Sequence, residues 1–374
     1  ETSHRDTVAS NITFPEAATK VAYGNGRFVA IVAYSTNAYV SPDGKLWSLR
    51  TISSYPWKDL IYANGLFIAV SSGTGTSVIA TSVDGDNWNI YTSPTDWPNN
   101  VSVAYGNGVF VIVGYNSTST VTSTDAITWT LNTSAIPLQN WYSIAFGNGI
   151  FVAVPVGGST TTAYSTNGVT WNTATGFSVS NCQDVCFGNG IFVAVNQAGA
   201  STTYNTTVDG TTWTSRSIPS GSRYFTIFDN GIFFTPSYNT TTFHYSLNGI
   251  DWTAGTLPSS TSWFIGAAGN NIFLSMNTST IEAYWNSSLI IDQAATYPGT
   301  NQASVTVVDD GVQATHRLQA FLMGSTTADH NAYEHEIVPM ILRCGNIVPN
   351  TSFDIIATSD LRLRGDFTAQ WTRN

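Results

Sequence analysis

The sequence predicts an all-β protein, with a seven-bladed β-propeller of four-stranded blades over residues 1–296 and a small β-sandwich or jelly-roll-like domain over residues 297–374. Two motifs predict the propeller, because they recur together about every 41 residues, which is the length of one four-stranded blade. A change of composition near residue 297 predicts the second domain.

The first motif is Asn-Gly-x-Phe or a close variant, and it occurs seven times. Its phenylalanines are Phe28, Phe67, Phe110, Phe151, Phe192, Phe233 and Phe273. Asn-Gly tolerates the positive φ angles of a tight hairpin turn, so each copy predicts a turn between two strands. In the fourth repeat the expected strands are residues 142–146, 150–154, 161–165 and 169–173.

The second motif is Ser-x-Asp-Gly-x-x-Trp or a close variant, and it follows each of the first six copies. Its tryptophans are Trp47, Trp88, Trp129, Trp171, Trp213 and Trp252. We expect the Ser and Asp to cap the turn between the third and fourth strands, and the Trp to pack between blades. The motif resembles the Asp box of sialidases and related propellers, although it is one residue shorter here. In those families the box is a structural hairpin far from the active site.

Over residues 1–295, the array of both motifs also resembles the propeller repeats of phage tail and fibre proteins and of bacterial surface proteins. This resemblance implies a binding protein of the phage virion or tail fibre that recognises a host surface glycan or receptor. A location on the bacterial cell surface is the alternative.

The last repeat lacks the second motif, because residues 282–288 stand where it is expected. Residues 7–14 precede the first repeat and have the character of a strand. We therefore expect this N-terminal strand to complete the last blade, which joins the two ends of the ring and removes an exposed sheet edge.

The C-terminal segment has twice the charge density of the repeats, with 13 charged residues in 78 against 23 in the preceding 296. Its expected strands are residues 303–308, 336–342, 353–357 and 367–371. The final stretch resembles the last strands of several phage virion proteins. Such end domains mediate oligomerisation, so we expect a homo-oligomer that also contacts other virion proteins.

Composition excludes several classes of partner. Charged residues make up 10% of the chain and the net charge is −10, so the basic surface that nucleic-acid binding needs is missing. The apolar runs have strand length, far short of the roughly 18 residues of a membrane helix, so no membrane insertion is expected. Cys182, Cys186 and Cys344 form no disulfide framework and are expected to be buried free thiols.

Positions that differ among the repeats are candidates for a binding site. Ten residues before the motif phenylalanines stand Ala18, Trp57, Asn100, Trp141, Cys182, Arg223 and Trp263. We expect this position to start the innermost strand and to ring the central opening. Aromatic rings beside polar groups suit sugars and protein surfaces, so the predicted ligand-binding residues are Trp57, Asn100, Trp141, Arg223 and Trp263. In the alternative interpretation the three tryptophans only plug the top of the ring.

The sequence predicts no catalytic residue, no cofactor and no metal. Most aspartates of the repeats belong to turns, which leaves Asp59, Asp184 and Asp229 as candidate catalytic carboxylates. Asp59 and Asp184 are expected to lie too far apart across the ring for a glycosidase pair. Residues 330–336, rich in His and Glu, have no recognised zinc spacing. A structural virion or surface decoration protein without ligand and a sialidase-like glycosidase are the alternatives to the adhesin.

Overall fold

The structure is a computed structural model, and it describes residues 11–14, 16–72, 77–94, 98–197, 202–270, 272–277, 281–286, 304–306, 316–321 and 338–342. The chain divides into two compact units, of which one is Val8–Trp285 and the other contains Asn286–Asn374. All regular structure among the described residues is β-strand.

The strands of Val8–Trp285 form four-stranded antiparallel sheets, which are the blades of a β-propeller. Six blades, not seven, are each built from one continuous stretch of the chain. The seventh sheet takes strands from both ends of the propeller, because it combines β1 (Asn11–Thr13) with β26 (Ile265–Gly269), β27 (Ile272–Met276) and β28 (Ile281–Asn286). We number the blades 1 to 7 in chain order.

Blades 1 to 4 each consist of four strands that are consecutive in the chain. Blade 1 contains β2 (Lys20–Gly24), β3 (Arg27–Ile31), β4 (Asn37–Ser41) and β5 (Ser48–Thr51). Blade 2 contains β6 (Trp57–Ala63), β7 (Leu66–Ser71), β8 (Val78–Ser82) and β9 (Asn89–Thr92). Blade 3 contains β10 (Asn99–Gly106), β11 (Val109–Tyr115), β12 (Thr120–Ser123) and β13 (Thr130–Asn132). Blade 4 contains β14 (Trp141–Gly147), β15 (Ile150–Pro155), β16 (Ala163–Ser165) and β17 (Asn172–Thr173).

Blade 5 contains β18 (Cys182–Gly188), β19 (Ile191–Asn196), β20 (Thr203–Thr207) and β21 (Thr214–Ser217). Blade 6 contains β22 (Ile227–Asp229), β23 (Ile232–Pro236), β24 (Thr240–Ser246) and β25 (Thr253–Thr261). Blade 7 contains β1 (Asn11–Thr13), β26 (Ile265–Gly269), β27 (Ile272–Met276) and β28 (Ile281–Asn286).

The first motif forms the predicted hairpin turn in every blade, as blade 4 illustrates. Asn148 and Gly149 have φ angles of 48° and 80°, so both central residues of the turn adopt positive φ. The register then pairs Phe146 with Phe151 and Phe151 with Ser165. All seven motif phenylalanines are completely buried in the cores that neighbouring blades share.

The second motif caps its turn as predicted, which blade 4 again shows. The Ser165 hydroxyl accepts hydrogen bonds from the amides of Asn167 and Gly168 at 3.2 and 2.9 Å. The Asn167 side-chain oxygen accepts from the next two amides, at 2.9 Å each. Trp213, the motif tryptophan of blade 5, packs in a core with Val152 of blade 4, as the sequence predicts. These contacts make the motif a structural hairpin.

Neighbouring blades also interlock through glycines of the innermost strands. At five joints, a β-carbon added to the glycine would lie 1.9–2.2 Å from an aromatic ring of the next blade. The pairs are Gly24–Tyr62, Gly106–Phe146, Gly147–Phe187, Gly188–Phe228 and Gly269–Tyr23. The last pair joins blade 7 to blade 1 and so closes the ring.

The N-terminal strand completes blade 7, as the sequence predicts. β1 pairs antiparallel with β28, and Asn11, Ile12 and Thr13 stand opposite Ala283, Glu282 and Ile281. The residue after β1, Phe14, is buried, and its ring lies 5.0 Å from those of Tyr39 and Trp47 in blade 1. The N-terminal segment is therefore fixed to both sides of the closure.

The C-terminal unit contains a three-stranded antiparallel sheet in the order β29 (Ser304–Thr306), β30 (His316–Phe321) and β31 (Val338–Leu342). β29 and β31 fall within the predicted strands 303–308 and 336–342, whereas β30 was not predicted. The predicted strands 353–357 and 367–371 lie outside the described residues.

Candidate functional site

A cavity of about 380 Å³ runs along the propeller axis, and we call it the axial cavity. The innermost strands of all seven blades line it, because each blade contributes the first residues of its first strand or the residues just before that strand. Its polar lining includes Lys20, Lys58, Asp59, Tyr142, Gln183, Asp184 and Tyr224.

A β-bulge sets which side chains line this cavity in blades 2, 4 and 5. The register shifts between Trp57 and Asp59, between Trp141 and Ser143, and between Cys182 and Asp184. Each shift leaves one extra residue in the inner strand, namely Lys58, Tyr142 and Gln183. All three extra residues line the cavity, in keeping with the tendency of bulges to re-aim side chains at functional sites.

Lys20 and Asp59 form an ion pair inside the cavity. The Lys20 ammonium lies 3.3 Å from one oxygen of the buried Asp59 carboxylate. The other carboxylate oxygen accepts hydrogen bonds from the Ser102 hydroxyl and the Val103 amide, both at 3.0 Å. The Asp59 charge raises the pKa of Lys20, and burial opposes this only in part. The pair and its hydrogen bonds thus join blades 1, 2 and 3.

Asp184 makes the equivalent joint between blades 4, 5 and 6. Its carboxylate accepts hydrogen bonds from the Ser143 hydroxyl at 2.7 Å and from the Thr226 amide at 2.9 Å. The Ser143 hydroxyl in turn accepts from the Val185 amide at 3.2 Å. Burial raises the pKa of Asp184, while the charge of Lys20 acts in the opposite direction. Asp59 and Asp184 both line the axial cavity, and each links its own blade to the blades on either side.

Lys58 and Tyr142 form a second polar pair beside these carboxylates. The Lys58 ammonium lies 5.3 Å from the centre of the Tyr142 ring, which is a cation–π distance. Burial, and then the charge of Lys20, lower the pKa of Lys58. Burial raises the pKa of Tyr142, so its phenol is neutral at pH 7 and can donate a hydrogen bond.

Aromatic side chains of blades 6 and 7 form a third part of the lining. The Tyr224 ring lies 4.5 Å from that of Phe264 and 5.0 Å from that of Tyr238. Tyr224 and Phe264 line the cavity and are half-buried, so part of each ring remains open to a ligand. The cavity therefore offers aromatic surface on one side and charged donors on another.

The expectation that Trp57, Trp141 and Trp263 face the opening is wrong. Each is at most 1% exposed, and none lines the axial cavity. Their indole nitrogens donate to the carbonyls of Ser53, Pro137 and Thr240 at 2.9–3.2 Å. Trp57 and Trp141 thus fix connecting segments of the chain, and Trp263 bonds to the first residue of β24. A ring with no exposed face cannot stack on a sugar.

Arg223 is also buried, at 1% exposed, although it was predicted to bind a ligand. Its guanidinium donates to the carbonyls of Pro219 and Gly221 at 2.6 and 2.9 Å and lies 3.3 Å from the His244 ring. Burial lowers the pKa of Arg223 to about 10. Asn100, the fifth predicted residue, lies in β10, and its side chain is outside the described part of the structure.

Two of the three cysteines, Cys182 and Cys186, lie in the described part of the structure. Cys182 is a buried free thiol as predicted, Cys186 is a half-buried one, and burial raises the pKa of both. Cys344 and residues 330–336 lie outside the described residues. Among the residues that the structure describes, no group of three His, Cys, Asp or Glu could hold a metal ion, and no helix could cross a membrane.

The lysines of the axial cavity are not among the predicted site residues, although the sequence contains one indication of them. The chain contains only three lysines, Lys20, Lys45 and Lys58, and two of them fall eight or nine residues before a motif phenylalanine. In a chain with so few charges, two lysines at nearly the same repeat position indicate a charged site on the innermost strands of blades 1 and 2. The β-bulge obscured this indication, because the alternation of a regular strand does not direct the Lys58 side chain into the cavity.

No protein-family model matches the chain, and no curated protein matches it. Solved structures do resemble it. YCF48 bound to a D1 peptide is 12% identical, with a TM-score of 0.59 over 75% of this chain and 95% of that chain. A streptogramin B lyase is 9% identical, with a TM-score of 0.62 over 74% and 96%.

A third structure, virginiamycin B lyase from Staphylococcus aureus, is 11% identical, with a TM-score of 0.60 over 74% of this chain and 98% of that chain. At such identities the likeness shows the β-propeller fold alone. None of the three is a phage protein, and the comparisons give no support to the resemblance to Asp-box or phage proteins.

Proposed function

We propose that this chain is a non-catalytic binding module that recognises a host surface glycan or receptor at the axial cavity. The observation that carries the proposal is the convergence of Lys58, Tyr142, Tyr224 and Phe264 on one cavity of about 380 Å³. A volume of this order falls within the roughly 300–1,000 Å³ of small-ligand sites.

The chemistry of the lining favours a sugar as the recognised unit. The half-buried rings of Tyr224 and Phe264 offer apolar surface to the face of a sugar ring. The Lys58 ammonium, the Tyr142 phenol and the Gln183 amide offer hydrogen bonds to its hydroxyls. The proposal thus keeps the predicted glycan but assigns it to other residues.

Binding is favoured over hydrolysis because the two carboxylates of the cavity already have partners. Asp59 is paired with Lys20, and Asp184 accepts hydrogen bonds from Ser143 and Thr226. A sialidase-like reaction needs arginines around the substrate carboxylate, whereas the described lining of the cavity contains no arginine. We therefore keep the glycosidase as the weakest alternative.

The proposed location is the phage virion or tail fibre, with the bacterial cell surface as the second choice. This part of the proposal is supported by the repeat array and by a surface poor in charge, since only 10% of the residues are charged. Assembly into a homo-oligomer through the C-terminal unit and contacts with other virion proteins belong to the same proposal. In the competing function, the propeller is a rigid virion spacer without ligand.

A glycan array and a binding assay on candidate host cells test this function. The wild type is compared with Tyr224→Ala/Phe264→Ala, which removes the exposed aromatic surface of the cavity. Tyr91→Ala is the matched control, because Tyr91 lies in the outermost strand of blade 2 and outside the cavity. We expect the double variant to lose binding and the control to retain it. A folded wild type that binds no glycan and no host cell would support the spacer.

A further inference from the structure

We infer that the recognised glycan carries a carboxylate, which Lys58 binds in the axial cavity beside Tyr142. This inference rests on the proposed function and specifies its ligand class.

Lys58 differs from Lys20, the other lysine of the cavity, in having no anionic partner in hydrogen-bond contact. Lys20 is paired with Asp59 at 3.3 Å. Among the described residues, the Lys58 ammonium has its cation–π contact with Tyr142 but neither a hydrogen bond nor an ion pair. The Lys58 side chain is half-buried in the cavity lining, and its ammonium has donors without a partner, so the site has unused capacity for an anion.

The positive charge of Lys20 favours an anion at Lys58. Lys20 lies close enough to lower the pKa of Lys58, which means that two ammonium groups repel each other across the cavity. Asp59 attracts Lys58 as well, but its oxygens are occupied by Lys20, Ser102 and two backbone amides. A ligand anion at Lys58 would reduce this repulsion without breaking the joint between the blades.

The anion should carry a single charge. Asp59 and Asp184 line the same cavity and repel any anion, so a doubly charged phosphate ester meets more repulsion than a carboxylate does. A carboxylate also has two acceptor oxygens, which suit one ammonium donor and one phenol donor. Lys58 and Tyr142 together supply this pair of donors.

The other side of the cavity indicates that the carboxylate belongs to a sugar. Tyr224 and Phe264 contact each other at 4.5 Å and leave part of their rings open, on blades 6 and 7. A ring with one apolar face and one carboxylate could stack on these aromatics while its charge reaches Lys58. Uronic acids and neuraminic acids have this chemistry.

The test is an array on which each glycan containing uronic or neuraminic acid is printed beside its carboxyl-amidated counterpart. We expect at least one acidic glycan to bind, and its amide to bind about tenfold or more weakly, because a charge-assisted hydrogen bond is lost. The Lys58→Met variant should lose the same factor, while Lys58→Arg retains binding. Lys45→Met changes the net charge equally outside the cavity and should have no effect.

The outcomes separate the inference from the proposed function. If glycans bind but amidation leaves their affinity unchanged, or if folded Lys58→Met binds as the wild type does, the carboxylate is not recognised and only the inference fails. If neither acidic nor neutral glycans nor host cells are bound, the proposed function fails as well. Should Lys58→Met not fold, the amide comparison on the wild type still decides the question.

Discussion

At the scale of single residues, the position ten before the motif phenylalanine holds a connecting segment of the chain in place in blades 2, 4 and 6. Trp57 and Trp141 each donate a hydrogen bond to the carbonyl four residues earlier. Arg223 makes the same contact with Pro219, through its guanidinium instead of an indole. Residues of very different chemistry can therefore serve one structural purpose, provided that each is long and carries a donor at its end.

The burial of Arg223 has a consequence for its neighbour His244, which is 1% exposed. Burial, and then the positive charge of Arg223, lower the pKa of His244 to about 4. A histidine in the unfolded chain has a pKa of about 6.5, so between these values the unfolded state binds a proton that the folded state does not. Stability should therefore fall as the pH falls through this window, by up to about 1.4 kcal/mol per pH unit.

The variant His244→Gln, which cannot titrate, isolates this effect. Denaturant unfolding at pH 7 and pH 5 should show a larger loss of stability for the wild type than for the variant. All carboxylates that titrate in the same range are common to both proteins, so the difference in slope belongs to His244. Equal slopes would mean that His244 accepts its proton in the folded state without penalty.

At the scale of elements, the strands and hairpins of each blade can be predicted from the sequence. The bulges of the innermost strands, which decide the side chains that line the cavity, cannot. Asn-Gly pairs fix the first hairpin because few other residues tolerate positive φ at both turn positions, and Asn148 and Gly149 adopt it. The bulge at Lys58 has no such local signal, because it arises from packing around the axis. The predicted site consequently stood one or two residues away from the side chains that line the cavity.

The glycines of the innermost strands give a prediction at this scale. A methyl group on Gly147 would lie 2.0 Å from the Phe187 ring of the next blade, whereas one on Gly149 would meet no atom within 4 Å. We expect Gly147→Ala to cost more than about 3 kcal/mol of unfolding free energy, because the blades must separate. Gly149→Ala should cost only about 1 kcal/mol, from its φ of 80°.

Denaturant melts of both variants test the interlock between blades 4 and 5. Replacing Phe187 with Leu in the Gly147→Ala background should recover part of the stability, since the smaller side chain leaves room for the methyl group. If the two single variants are equally stable, contact between Gly147 and Phe187 does not set the spacing of the blades.

At the scale of the whole molecule, the ring is stable only if its two ends meet. Residues 7–14 could be assigned to closure from the sequence, because the last repeat lacks its second motif and a lone strand precedes the first. The charges of the axial cavity could not be assigned in this way, since Lys20, Asp59 and Asp184 come from different repeats. Their association depends on the curvature of the ring, which no single repeat encodes.

The closure predicts different effects for two truncations of the N-terminus. Removing residues 1–14 deletes β1 and Phe14, so β28 loses its partner strand and the rings of Tyr39 and Trp47 lose their contact. We expect a loss of about 3–5 kcal/mol from the buried phenylalanine alone, together with faster proteolysis of an opened ring. Removing residues 1–10 leaves β1 and Phe14 in place and should keep most of the stability. Equal stability of the two truncated chains would show that contacts between the blades close the ring without the N-terminal strand.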